Sequence, residues 1–291
     1  MLASIIWAFS YSLNKQNLAG VNPFMVSFIF CASSVLLFLP TFRLRGLSLK
    51  KFLIVLALGA LEFGLMYIFF QLSFAFLDAY EIALLLTTTP IYVVFADGIF
   101  NKAALALPCL LASLCVLLSF LLVSGAEYSF NRYGVLLIQG SNLSFAFGQV
   151  LVKKFFEKEL LNKTPNFTKK TTATLSLTQC MSILYLGGCC VCGLAAILTQ
   201  TEYVPFTRSA MFWTIILGIS CCGICHYLWD FGILRVKTPV AAVMNNLQIP
   251  LSMLIAVIFF GEHIDWCKLC ICLIMLLFIA AIFLFYKHKK V

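Results

Sequence analysis

Three carboxylic acids and one histidine lie inside stretches of the chain that are otherwise apolar: Glu62, Asp97, Asp230 and His226. A carboxyl group deep in such a stretch is costly to keep charged, and it can bind a cationic substrate group or carry a proton. His226 lies four residues before Asp230, so both share one face of a helix and Asp230 could orient the imidazole. We predict Glu62, His226 and Asp230 as proton-coupling residues. A structural hydrogen bond and a neutral, protonated bystander are the alternatives for Glu62.

Polar and aromatic side chains also recur at helical spacing. Asn245, Gln248 and Ser252 follow Ala241 at i, i+4, i+7 and i+11, which places them on one face of a helix. Such a stripe faces a watered cavity or another stripe, where interhelical hydrogen bonds are worth about 0.6 kcal/mol each. The predicted substrate-binding residues are Trp7, Tyr11, Glu62, Tyr67, Thr88, Gln149, His226, Asn245, Asn246 and Gln248.

Catalytic and metal chemistry find little support in the sequence. Most of the 13 cysteines lie within apolar stretches, where cysteine packs as a small hydrophobic residue. No paired-carboxylate metal motif and no phosphate-binding glycine loop is present. We therefore predict no catalytic residue, no metal site and no cofactor. Transport of a small molecule, a membrane enzyme and a non-transporting membrane scaffold or receptor are therefore the candidate functions.

The composition predicts the elements that must position these residues. Of the 291 residues, 63% are hydrophobic and 11% are charged, which excludes an ordinary soluble domain. A membrane-spanning helix needs about 20 apolar residues. Ten such stretches are found, at 2–18, 22–41, 52–76, 79–100, 103–124, 133–153, 176–198, 210–233, 239–260 and 267–286. The predicted fold is an all-α integral membrane protein with ten transmembrane helices.

The two halves of the chain resemble each other. WAFSYSLNK from Trp7 matches FAFGQVLVK from Phe145, and Pro90 matches Pro250 at an offset of 160 residues. Each half holds five helices, an odd number, so the second half crosses the membrane in the opposite sense, with a substrate site between the halves. The predicted units are two inverted five-helix repeats, 1–124 and 125–291, and the second has a longer cytoplasmic loop at 154–175 into which the sixth helix extends.

The basic residues predict the orientation in the membrane. Of the 20 Lys and Arg residues, all but four fall on the side that carries the C-terminus; the four are Lys15, Arg132, Arg208 and Lys268. Since cytoplasmic loops are enriched in Lys and Arg, both termini are predicted to be cytoplasmic. The net charge of +9 therefore reflects topology and contact with membrane lipid, and we predict no nucleic-acid partner.

The helix count, the Trp in the first helix, the two helix prolines and Gly261-Glu262 at the end of the ninth helix resemble the drug/metabolite transporter superfamily, EamA type. Tyr80-Glu81-Ile82-Ala83-Leu84 is similar to its carboxylate, amino acid and amine branch. This resemblance implies a cavity lined by helices 1, 3, 4, 6, 8 and 9 and a homodimer contact through helices 5 and 10. It further implies uptake, efflux or exchange of an amino acid, an amine or S-adenosylmethionine across the bacterial inner membrane.

Overall fold

The structure, a computed structural model, describes residues 2–43, 47–102, 131–161, 176–199, 206–236, 244–245, 248–260 and 274. Over these residues the chain forms eight helices: α1 Leu2–Leu18, α2 Pro23–Phe38, α3 Leu49–Ser73, α4 79–101, α5 Arg132–Leu161, α6 Leu177–Leu198, α7 Arg208–Ile233 and α8 Gln248–Phe260. Within α4, the short segments Ala79–Leu85, Leu86–Thr88 and Thr89–Asn101 follow one another directly.

These helices coincide with eight of the ten predicted spans, and the chain is all-helical over the described ranges. The helix of 133–153 continues to Leu161, in agreement with the predicted extension into the loop. The spans 103–124 and 267–286 lie outside the described residues, apart from Ile274, so the full count of ten helices and the inverted arrangement stay predictions.

Five segments of the described chain are long and apolar enough to cross a membrane by length and composition. They are Pro23–Thr41, Leu49–Ser73, Arg132–Lys158, Leu177–Leu198 and Arg208–Ile233. Their mean hydropathies run from 1.5 to 2.2. The protein is therefore an integral membrane protein.

Several helices begin at residues that satisfy their first backbone N–H groups. The Asn22 side chain accepts hydrogen bonds from Phe24 N and Met25 N at the start of α2, where Pro23 occupies the first position. Ser176 and Gln179 cap α6 reciprocally, with each side chain bonded to the backbone N–H of the other residue. These caps satisfy backbone N–H groups that have no partner within the helix itself.

α3 and α6 approach each other so closely that only glycine fits at the crossing. A Cβ at Gly59 would lie 1.8 Å from the carbonyl oxygen of Leu184, and one at Gly187 would lie 2.0 Å from that of Leu56. Small residues of this kind let membrane helices pack backbone to backbone. The contact buries Tyr185 completely and sets α3 in a fixed register.

Two helices contain a π-helical segment that the sequence does not predict: Ala60–Leu65 in α3 and Gly218–Cys225 in α7. A π segment leaves backbone carbonyls without their usual intrahelical partners, and such segments occur frequently at functional sites. With the repeat offset of 160, residues 60–65 correspond to residues 220–225, so the two segments occupy matching positions. Both lie next to the cavity described below.

Candidate functional site

The described helices enclose a cavity of about 620 Å³, part of which is open to solvent. α1, α3, α4, α5, α7 and α8 supply nearly all of its walls, together with one ring from α2. The lining consists of Trp7, Ser10, Tyr11, Asn14, Phe30, Met66, Tyr67, Phe70, Leu86, Thr89, Ser141, Asn142, Phe145, Leu217, Cys221, His226, Asn245 and Gln248. The helices implied by the family resemblance therefore do surround a common cavity.

A chain of hydrogen bonds joins α1 to α8 in one wall of the cavity. The Tyr11 hydroxyl donates to Gln248 Oε1 at 2.7 Å, and Gln248 Nε2 donates to Asn245 Oδ1 at 3.3 Å. All three side chains are at least nine-tenths buried. Bonds to the described residues leave N–H hydrogens of Gln248 and Asn245 unused, so this wall can still donate to a ligand.

The π segment of α7 presents one carbonyl oxygen to two cavity side chains. Cys221 O accepts a hydrogen bond from Trp7 Nε1 at 3.2 Å and lies 3.0 Å from His226 Nδ1. A carbonyl oxygen can only accept, so Nδ1 carries a proton, and in the neutral ring Nε2 is left as an acceptor. The Tyr67 hydroxyl lies 3.3 Å from the same Nδ1. The predicted orientation of His226 by Asp230 is therefore wrong: a backbone carbonyl holds the ring, and neither Asp230 oxygen bonds His226 or any other described residue.

Aromatic rings surround His226 at the centre of the bundle. Its ring centroid lies 5.0 Å from that of Trp7, 5.1 Å from Phe63, and 5.8 Å from both Tyr67 and Phe145. All four contacts are edge-to-face, the arrangement that aromatic pairs prefer. The rings come from α1, α3 and α5, so the cluster ties three helices to α7.

The opposite wall is built by α4 and α5 around Asn142. Its Nδ2 donates to Leu85 O at 2.9 Å and to Thr88 Oγ1 at 3.0 Å, and Thr89 Oγ1 donates to its Oδ1 at 3.1 Å. The carbonyl of Leu85 is available because, at the end of the 3₁₀ turn Leu86–Thr88, the Thr89 N–H bonds Leu86 O instead.

Six of the ten predicted substrate-binding residues line the cavity: Trp7, Tyr11, Tyr67, His226, Asn245 and Gln248. Three do not. Thr88 lies behind Asn142, Gln149 accepts a hydrogen bond from Trp229 Nε1 at 3.0 Å, and Glu62 is fully buried away from the cavity. Asn246 lies outside the described residues.

The structure also brings residues to the cavity that the sequence prediction left out. Asn142 and Asn14 carried a signal, because each lies on a polar helical stripe with a predicted residue, Gln149 and Trp7 respectively. Ser10 and Ser141 carried none, since a serine in a membrane helix commonly bonds a backbone carbonyl of its own or a neighbouring helix, and both do so here, to Trp7 O and Met66 O.

Two lysines bind backbone carbonyls at opposite ends of the bundle. Lys15 at the end of α1 contacts Phe74 O at 3.2 Å, Leu77 O at 3.0 Å and the Asp78 carboxylate at 3.2 Å. Lys153 donates to Val236 O at 2.8 Å, just after α7. Gly134, at the start of α5, packs against Leu77, whereas Lys153 is 19 residues further along this helix, a rise of about 28 Å.

Comparison with known proteins adds the following findings. The family model described as the EamA-like transporter family matches residues 1–125 and 164–285. A protein of Salmonella typhimurium named "Biotin transporter" is 26% identical over 269 residues, covering 91% of this chain and 85% of that protein. A "Probable biotin transporter" of Pseudomonas aeruginosa is 29% identical over 274 residues, covering 91% and 89%. A crystal structure matches with a TM-score of 0.74 and 16% identity over 99% of this chain and 96% of its own, which shows a shared fold.

Proposed function

Because this chain belongs to the EamA-like transporter family, and is a membrane transporter rather than an enzyme, we propose that it is a secondary transporter and that its substrate is biotin. The relatives named biotin transporters match it over most of their length. The chemistry of the cavity supports the same substrate.

The observation that carries this proposal is the set of side chains that lines the cavity. The described lining contains aromatic rings and side-chain amides and hydroxyls, but no Lys, Arg, Asp or Glu. Biotin is a compact bicyclic molecule with a ureido group that donates two N–H bonds and accepts at its carbonyl. Asn142, Asn245 and Gln248 offer amide partners for such a group, and the rings around His226 offer apolar contact to the sulfur-containing ring.

An amino acid, an amine or S-adenosylmethionine remains the second candidate. Each of these carries a cationic ammonium or sulfonium group, which membrane transporters commonly neutralise with a carboxylate. The described lining supplies no carboxylate, and Glu62 lies behind it. The absence of a carboxylate from the described lining therefore counts against these cationic compounds.

We assign direct contact with the substrate to Trp7, Tyr11, Tyr67, His226, Asn245 and Gln248. Thr88 and Gln149 would position the cavity wall through Asn142 and Trp229. The protein would work in the inner membrane of a bacterium with both termini in the cytoplasm. It would form a homodimer through the predicted helices at 103–124 and 267–286.

The direct test is uptake and exchange of radiolabelled biotin by the purified protein in proteoliposomes. We expect saturable biotin counterflow that unlabelled biotin competes away, and none in empty liposomes. An equal concentration of S-adenosylmethionine, amines or amino acids should compete poorly. Counterflow of one of these compounds, together with no biotin counterflow, would overturn the assignment of the substrate.

A further inference from the structure

Glu62 and Asp230 are two buried carboxyl groups outside the substrate cavity. Glu62 is 0% exposed and Asp230 is 1% exposed. None of their four carboxyl oxygens has a hydrogen-bond partner among the described residues. Buried polar atoms in native proteins are almost always partnered, and a buried carboxylate without a partner is strongly unfavourable. These two side chains therefore call for a bound species that neutralises them.

α5 brings the two acids to the same region of the bundle. Glu62 lies in the π segment of α3 and packs against Gly148, where a Cβ would come within 2.4 Å of the Glu62 Cβ. The next residue of α5, Gln149, bonds the ring of Trp229, which directly precedes Asp230. Asp230 and Glu62 interact electrostatically, and Tyr185 interacts with both.

The titratable groups packed around this pair offer no positive charge to compensate it. Among the described residues they are Tyr185 and Cys192 from α6, Cys31 from α2, and Cys222 and His226 from α7. The imidazole of His226 is directed to Cys221 O, and the guanidinium of Arg235 lies 3.3 Å above the ring of Phe231. Neither base pairs with Asp230, and the ammonium group of Lys153, one turn after Gln149 on α5, bonds Val236 O.

We propose that Glu62 and Asp230 together form one proton-binding site, separate from the substrate cavity, whose proton moves with the substrate. Two carboxylates that interact in a low-dielectric site cannot both stay ionised, so the pair binds a proton. A proton needs only one carboxyl oxygen. A hard metal cation takes about six oxygen ligands, and four carboxyl oxygens on two side chains fall short of that.

The coupling rests on the proposed function, because it follows from the charge of the substrate. Biotin carries a carboxylate, and the described cavity lining has no Lys or Arg to balance it. An ionised Glu62–Asp230 pair would repel this anion across a low-dielectric interior. Proton uptake by the pair removes the repulsion, so proton and anionic substrate favour each other's binding.

Equilibrium binding of biotin to the purified full-length protein tests the coupling. Between about pH 6 and 8 biotin itself stays ionised, since an ordinary carboxyl titrates near pH 4.3. For wild type we expect Kd to rise with pH, approaching tenfold per pH unit for one linked proton.

The double variant Glu62→Gln/Asp230→Asn should bind with a Kd that does not change with pH. The control Glu157→Gln, an exposed acid on α5, should behave like wild type. A wild-type Kd independent of pH would overturn the coupling, and so would pH dependence that persists in the double variant.

The single variants test transport. In proteoliposomes, Glu62→Gln and Asp230→Asn should each keep biotin exchange but lose accumulation driven by a pH gradient. Full gradient-driven accumulation in either variant would contradict the proposal. Each variant is first checked for a monodisperse elution peak, and one folded single variant is sufficient for this comparison.

An infrared measurement separates failure of this proposal from failure of the substrate assignment. Wild type at about pH 6, the lower end of the range used for binding, should show a C=O stretching band of a protonated carboxyl that is absent from the double variant, with no ligand present. If this band is found but biotin does not bind, the substrate assignment fails and the proton site stands. If the band is missing from wild type, the proton site itself is wrong.

Discussion

Tyr11, Gln248 and Asn245 show how single polar residues can be held in a membrane without facing lipid. Each is buried, and the hydrogen bonds run from one residue to the next across the boundary between α1 and α8. These bonds hold the three side chains in place, so that their remaining N–H groups can face a ligand. Loss of one of the three side chains should therefore reduce the affinity for the ligand more than it reduces folding.

Gln248→Ala should weaken biotin binding by about five- to thirtyfold, the equivalent of about 1–2 kcal/mol, because the substrate loses an amide partner and the Tyr11 hydroxyl loses its acceptor. Yield of folded protein should stay near the wild-type value. Binding titrations measure the change, with Gln16→Ala on the exposed face of α1 as the control. A collapse in yield, with a normal KM in the residual transport, would mean that Gln248 is structural.

Trp7→Phe distinguishes the contribution of the aromatic ring to binding from that of the indole N–H group. The variant keeps an aromatic ring in the cluster around His226 but loses the hydrogen bond to Cys221 O, which is 3.2 Å long in wild type. We expect a severalfold rise in Kd and a larger rise for Trp7→Ala, since the smaller side chain also loses the ring contact. Trp213→Phe, on a tryptophan outside the described lining, should leave Kd unchanged.

At the scale of elements, the two π segments connect the helices to the site. The segment in α7 frees Cys221 O and Cys222 O, which receive hydrogen bonds from Trp7 and Tyr185. The segment in α3 carries Glu62 and ends one residue before Met66, a cavity residue. Side chains from other helices thus donate hydrogen bonds to carbonyl oxygens that the π segment of α7 leaves without an intrahelical donor.

Lys15 and Lys153 occupy matching positions in the two repeats, and each bonds carbonyls just beyond a helix that contains a π segment. Each lysine therefore stabilises one end of the bundle, and its loss should increase local opening at that end alone. In Lys15→Met, amide hydrogen exchange should rise about tenfold or more at residues 74–78 and stay unchanged at residues 234–236.

Lys153→Met should give the reverse pattern, and Lys158→Met, an exposed lysine further along α5, should change neither segment. Hydrogen–deuterium exchange read by mass spectrometry resolves the two segments. An equal rise of exchange at both ends in either variant would show that the lysines stabilise the whole bundle rather than one end each.

At the scale of the whole molecule, the distribution of basic residues predicts the topology. With both termini in the cytoplasm, an impermeant thiol reagent applied to intact cells should label a cysteine placed at Ser129 and miss one placed at Lys163. A background without reactive native cysteines provides the control. Labelling of Lys163→Cys but not of Ser129→Cys would overturn the predicted orientation.

The sequence by itself determined that the described chain is all-helical, and it pointed to several residues that line the cavity. Long apolar stretches can only satisfy their backbone groups in lipid as helices, so the spans of all eight described helices were predictable. Helical periodicity together with the repeat identified Trp7, Tyr11, Asn245 and Gln248, because polar stripes in a membrane must face inward. The resemblance to the EamA-type transporters, read from the same features, is confirmed.

Only the tertiary structure decided where Glu62, Asp230 and His226 are placed and which atoms they face. Periodicity gives the face of a helix but not its rotation against neighbours, and a π segment shifts that rotation between its two sides. For this reason Glu62 turns toward Gly148 rather than the cavity, and His226 finds a carbonyl rather than Asp230. The position of Glu62 depends on Gly148, more than 80 residues away in the chain, and that of His226 depends on a π segment that the helical pattern does not predict.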